Sequence, residues 1–291
     1  MLRTTYAPRA GFAIATFSMI AMTACKLEKD ENGGRPTDVV ATTTPVTVDT
    51  PTPVTTMTVR GTTETTSGTA WEHYMLGLEL RKSGDLTNAE TAFKRTLELD
   101  PKHVKGHLNL GRVYLDQDKP KEARTYILAA LKLDSTSSDG YRLLGRVHAA
   151  LKQNEEAIAS YRLALLRNPG DAWSMNNLAL ILIQQRRFAE ALPPLARAVK
   201  LDSTVAVFHN NLGIALEHLG QYGLATTAFR SALAADSGYT KAVLSLARVE
   251  FRKEDPTTVP VDLVVLAEGF DREIRTPAGV AVVGKAPDGT R

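Results

Sequence analysis

A pattern that returns every 34 residues dominates the chain between residues 70 and 253. Leucine recurs at Leu76, Leu110, Leu144, Leu178, Leu212 and Leu246, and a small residue follows each time, at Gly77, Gly111, Gly145, Ala179, Gly213 and Ala247. Thirteen places after the leucine stands alanine, at Ala89, Ala123, Ala157, Ala191 and Ala225. A bulky residue lies four further on, at Phe93, Ile127, Tyr161, Leu195 and Phe229, and then a small one, at Thr96, Ala130, Ala164, Ala198 and Ala232. Five registers hold this period without an insertion, which makes the segment a repeat array.

Within each unit the apolar positions fall into two clusters with spacings of three and four, so each cluster is an amphipathic helix of about three turns. Polar breaks separate the two, as at Ser83-Gly84-Asp85 and Leu219-Gly220-Gln221, and units end at Asp100-Pro101, Asn168-Pro169 or an Asp-Ser pair. Small residues such as Gly111 and Ala123 stand where the paired helices touch; anything larger than alanine would hold the backbones apart. The sequence therefore predicts an all-α chain of repeated antiparallel helix pairs.

These residues resemble the tetratricopeptide repeat, with its 34-residue period and its Leu-Gly, Ala, aromatic and Pro pattern. The resemblance implies a right-handed α-solenoid of five hairpins, starting at Ala70, Val104, Ser138, Ala172 and Ala206, with a half unit from residue 240. Pro193-Pro194 falls early in a second helix, where a local kink is expected rather than a break. Val259, Leu263, Leu266 and Phe270 keep helical spacing after residue 254, so a displaced last helix is expected to cap the open end of the stack, followed by a loose Gly- and Pro-containing tail within 254–291.

The 291 residues carry a net charge of +3, and residues 70–253 hold 25 Lys and Arg against 19 Asp and Glu. That surplus is too mild for a nucleic-acid binder, which shows a dense basic stripe. The single cysteine, Cys25, excludes an intrachain disulfide. It stands at the end of an address. Arg3 and Arg9 precede an apolar run from Ala10 to Ala21, too short to span a bilayer, and Met22-Thr23-Ala24-Cys25 follows. This ending resembles a bacterial lipobox. It implies a signal peptide over 1–24, a lipidated Cys25 and attachment to the membrane by acyl chains. Lys26, where aspartate would retain a lipoprotein in the inner membrane, implies the periplasmic face of the outer membrane. Residues 25–69 then form a tether, since fifteen threonines and four prolines between Asp30 and Thr69 cannot bury enough surface to order the backbone.

No constellation for catalysis is present: no Gly-x-Ser-x-Gly, no His-Glu-x-x-His and no phosphate-cradling glycine loop. His73, His107 and His209 share the fourth place of their units and are read as packing residues, not metal ligands, and His148 as a core residue. No cofactor is expected. The resemblance places the ligand groove along the first helices. The sixth place there holds Asn109, Asn177 and Asn211, the fifth holds Arg142, Asn176 and Asn210, and the ninth holds Arg112, Arg146 and Arg248. Asparagines can pair with the backbone of an extended peptide, and arginine forks suit an acidic segment. The expected function is a non-enzymatic, membrane-anchored scaffold or assembly factor of the bacterial envelope that binds protein or peptide. The alternatives are an adaptor for cell-wall enzymes or peptidoglycan peptides, and a self-associating structural array.

Overall fold

The structure is a computed structural model that describes residues 68–275. Cys25, the signal expected over 1–24, the tail from 276 and all of the tether expected over 25–69 except Gly68 and Thr69 lie outside the described residues. Twelve α-helices fill the described chain. The hairpins pair α1 (Ala70–Ser83) with α2 (Leu86–Leu99), α3 (Val104–Asp116) with α4 (Pro120–Leu133) and α5 (Ser138–Ala150) with α6 (Asn154–Arg167). They continue with α7 (Ala172–Gln184) and α8 (Phe188–Leu201), then α9 (Ala206–His218) and α10 (Tyr222–Ala235). A single first helix, α11 (Thr240–Val249), follows, and α12 (Leu263–Arg275) ends the described chain. Among the described residues no helix is long and apolar enough to cross a membrane.

Helix starts and turns repeat with the sequence. Thr69 and Glu72 form a capping box at α1, while Asp85, Ser137 and Asp171 accept from the backbone three residues on at α2, α5 and α7. Each turn between paired helices places one residue in the left-handed region: Gly84, Asp118, Lys152, Arg186 and Gly220, spaced by the same period. The hairpins close because the eighth place is small. A Cβ on Gly145 would lie 2.6 Å from the Tyr161 ring, and one on Gly111 would lie 2.6 Å from Ile127. α8 runs unbroken through Pro193 and Pro194.

Curvature follows from which helices meet. Successive first helices touch, α1 with α3, α3 with α5 and so on to α9 with α11, whereas no two successive second helices do. First helices therefore line the concave side and second helices the convex side. Units are also stitched through side chains. Glu90 of α2 accepts from Lys94, Tyr114 and Gln117; burial alone would raise its pKa, but these bonds outweigh it and hold the carboxyl at about 2.

The last helix does cover the array, at a place the sequence did not indicate. α12 lies on α8 and touches α6, on the convex side, and leaves α11 at the end of the stack. Ala267, Phe270 and Ile274 are its buried face. Asp271 pairs with Arg197 at 2.8 Å and Glu273 with Arg162 at 3.4 Å. The second helices splay on the convex side, and that leaves an apolar seam between α6 and α8 which α12 fills.

Candidate peptide-binding groove

The groove is the concave side, and the first-helix pattern decides which side chains reach it. The three arginines at the ninth place and Arg142 at the fifth all lie there, each held by a carboxylate. Arg112 and Arg142 both bond Asp139, the residue at the second place of the third unit. Arg142 Nε also approaches Asp171 Oδ2 at 3.3 Å. Arg146 pairs with Asp116 at 3.5 Å, and Arg81 reaches the same carboxylate at 4.0 Å. At the far end Arg248 grips Glu217 with two bonds of 2.6 and 2.5 Å. Burial would raise the Asp139 pKa, but the two guanidiniums outweigh it and keep the carboxyl below its ordinary range. The arginines are thus inter-unit clasps as well as groove residues. The signal was in the sequence, since Asp139 lies 27 residues after Arg112 and three before Arg142.

The asparagines require a correction. Asn176 and Asn177 have no exposed surface, and Asn210 and Asn211 are buried as well. They bond one another: Asn210 Nδ2 donates to Asn211 Oδ1 at 3.4 Å, Asn211 Nδ2 to Asn176 Oδ1 at 2.8 Å, and Asn176 Nδ2 to Asn177 Oδ1 at 3.4 Å. The reason is a contact rule between units, in which the fifth place of one meets the sixth place of the next, 35 residues on. Asn109 obeys it through Tyr74, whose hydroxyl accepts from Nδ2 at 3.3 Å across the same separation. Four of the five asparagines therefore bond one another beneath the surface. Asn109, itself only 5% exposed, lines an open space.

That space is a cleft of about 340 Å³ in the first three units, lined by Tyr74, Lys105, Leu108 and Asn109 on one side and by Arg112, Arg142 and Asp139 on the other. Two polar atoms of its lining residues have no partner, the acceptor Asn109 Oδ1 and the donor Arg112 Nε, and both are enclosed beneath the surface. Further along the concave register the character changes to apolar, through the half-buried Trp173, Ile183 and Ile214. This apolar half was not among the sequence expectations, although Trp173 at the second place, Ile183 at the twelfth and Ile214 at the ninth record it.

Two of the packing histidines behave alike. His107 Nε2 lies 2.9 Å from the Pro101 carbonyl, and His209 Nε2 lies 2.9 Å from that of Ser203, each six residues back. His148 is enclosed in the core.

The family model described as "Tetratricopeptide repeat" matches residues 74–138, 114–172, 142–206 and 176–240. Human Tetratricopeptide repeat protein 7B is 33% identical over 126 residues, which is 43% of this chain and 15% of that protein. The chain spans only 11–16% of the length of the first curated relatives it matches. Type IV pilus assembly protein PilF of Pseudomonas aeruginosa is 24% identical over 172 residues, covering 58% of this chain and 68% of PilF. A solved structure of P. aeruginosa PilF superposes with a TM-score of 0.57 at 20% identity, covering 76% of this chain and 93% of that one.

Proposed function

The chain belongs to the tetratricopeptide repeat family, and from that membership we propose that it is an adaptor or assembly factor whose concave groove takes an extended segment of a partner protein. Arrays of this family mediate protein–protein interaction and are generally not enzymes, and we read this chain as non-enzymatic. The observation that carries the groove is the cleft across the first three units, whose lining sets Lys105, Arg112 and Arg142 beside Tyr74 and Asn109. Three cations of its lining, Lys105, Arg112 and Arg142, stand against one carboxylate, Asp139. An acidic segment entering there takes over a share of the guanidiniums that the internal carboxylates hold, so its net gain is small per contact and its specificity comes from position.

The site of action is the bacterial envelope in this reading. It rests on the lipobox-like Met22-Thr23-Ala24-Cys25 and on the likeness to a pilus assembly protein. Cys25 carries the lipid, and the array works from the periplasmic face of the outer membrane. Replacing Cys25 by alanine is expected to release the protein from membranes or to leave an unprocessed precursor, read by fractionation and intact mass. An unchanged mass and fractionation would remove the anchor.

The groove is tested with the partner recovered by pull-down from envelope extracts and titrated at two ionic strengths. Lys105→Glu is the informative change, because Lys105 is exposed on the rim of the cleft and its side chain holds no packing position. Affinity should drop at low salt and converge with wild type at high salt. Asn109→Leu should weaken binding at both. Wild-type affinity for both variants would take the cleft out of the mechanism.

A further inference from the structure

The contact between neighbouring units follows a register that both ends of the array leave half-built. Inside the array the fifth place of one unit meets the sixth of the next, and the seventh-place leucines Leu110, Leu144, Leu178 and Leu212 are buried. In the first unit the sixth and seventh places are Met75 and Leu76, each 45% exposed, beside Trp71 at the second place, 62% exposed. In the half unit at the other end the fifth place is Leu244, 65% exposed, next to Val243 at 47%. One end therefore presents the sixth- and seventh-place half of the contact and the other the fifth-place half. Both halves are apolar, like the buried fifth-to-sixth pair Leu108 and Leu143.

A second feature matches the two ends. At the third place α3, α5, α7, α9 and α11 bury Gly106, Gly140, Ser174, Phe208 and Ala242. Gly106 and Gly140 press on the second helix of the preceding unit, at Leu97 and Leu131. α1 has Glu72 at this place, exposed and engaged in its capping box, and a second helix laid over it would bury that charge. α11 brings no second helix, because α12 lies back on α8. The end that lacks a second helix faces the end that has no room for one.

We propose that the protein associates head to tail with further copies of itself, α11 of one copy docking on α1 of the next. Leu244 then packs on Met75 and Leu76 in the register of Leu108 and Leu143. Arg248 at the ninth place comes opposite Trp71 at the second, the register in which Arg112 meets Asp139, and its half-exposed side chain lies over the indole face. The two surfaces differ, so the contact is heterologous, and in the register that continues the superhelix it repeats without closing; association continues into linear chains.

Sedimentation velocity of the full chain, carrying Cys25→Ser so that membrane attachment does not contribute, tests this over rising concentration at low and high salt. The mass is expected to climb with concentration at both salt levels, because the contact is apolar. Met75→Glu and Leu244→Glu should each sediment as a monomer. An equimolar mixture of the two should give dimers and nothing larger, since each retains one intact end and those two ends match. Circular dichroism controls for folding, with Met75→Ser and Leu244→Ser used in place of any variant that loses helicity. A wild type that stays monomeric, association abolished by salt, variants that assemble like wild type, or a mixture that stays monomeric would each overturn the proposal.

Discussion

His148 shows what burial does to a single titrating side chain here. Its Nδ1 lies 3.1 Å from Ser160 Oγ, and that hydroxyl already donates to the Glu156 carbonyl at 2.8 Å, so the ring nitrogen is the donor. Burial, with the Arg124 charge adding to it and Glu156 offsetting part, holds the imidazole below its ordinary pKa. The unfolded chain binds a proton at about pH 6.5 while the folded chain resists it, so unfolding takes up a proton and stability falls as pH drops below that value. His218, stacked on Phe188 and lowered chiefly by burial, has the same sign. The denaturation midpoint is expected to fall between pH 7.5 and 5.5, and His148→Gln should flatten that slope. An equal slope in the variant would show that other groups dominate.

At the scale of elements, the turns and the last helix make separate demands. Three of the five left-handed turn positions are not glycine: Asp118, Lys152 and Arg186, at φ of 60°, 59° and 61°. A side chain in that region costs roughly 1–2 kcal/mol, against about 0.5–1 kcal/mol of extra chain entropy lost by glycine. Lys152→Gly should therefore stabilise the third hairpin by up to about 1 kcal/mol, read as a raised melting midpoint. α12 tests the opposite case, an element held by few residues. Phe270 is its deepest large side chain, and Phe270→Ala removes about 3 kcal/mol of packing from one short helix. The expected result is local: hydrogen exchange should quicken over 263–275 while the hairpins keep their protection. Loss of protection throughout the array would show that α12 is integral to it.

Among the described residues the apolar interior falls into two large cores joined within one hairpin, with a small third cluster at Ala206, Ala232 and Ala242. The first runs from Tyr74 to Val147 and includes the α5 residues Leu143 and Leu144; the second starts at Ala157 of α6 and reaches Ile274 of α12. The join is the α5–α6 contact, where Gly145 lies against the Tyr161 ring. In an array where each unit touches only its neighbours, a wedge at that point separates the halves as well as weakening them. Gly145→Ala is expected to cost on the order of 1–3 kcal/mol and to divide one unfolding transition into two. The two tryptophans report this directly, Trp71 in the first half and Trp173 against the second core. Single-tryptophan forms should melt together in wild type and apart in the variant. Ala157→Leu, on the facing helix, should do the same, and a wild-type midpoint for both would show that the join has room to spare.

The period alone was enough to place every hairpin. Helices begin at Ala70, Val104, Ser138, Ala172, Ala206 and Thr240, the starts expected from the pattern, because helical spacing and the small residues at contact points are local properties repeated five times over. The packing histidines were legible for the same reason, each being set by its place in the unit. What lies between units was not. Whether Asn176 faces a ligand or Asn211, and whether Arg112 is open or clasped by Asp139, depends on partners 35 and 27 residues away and on the angle at which two hairpins meet. The landing of α12 is a longer case still, with Glu273 pairing to Arg162 across 111 residues. A repeat written in the chain determines the unit; the superhelical stacking decides which of its polar side chains are left to bind anything else.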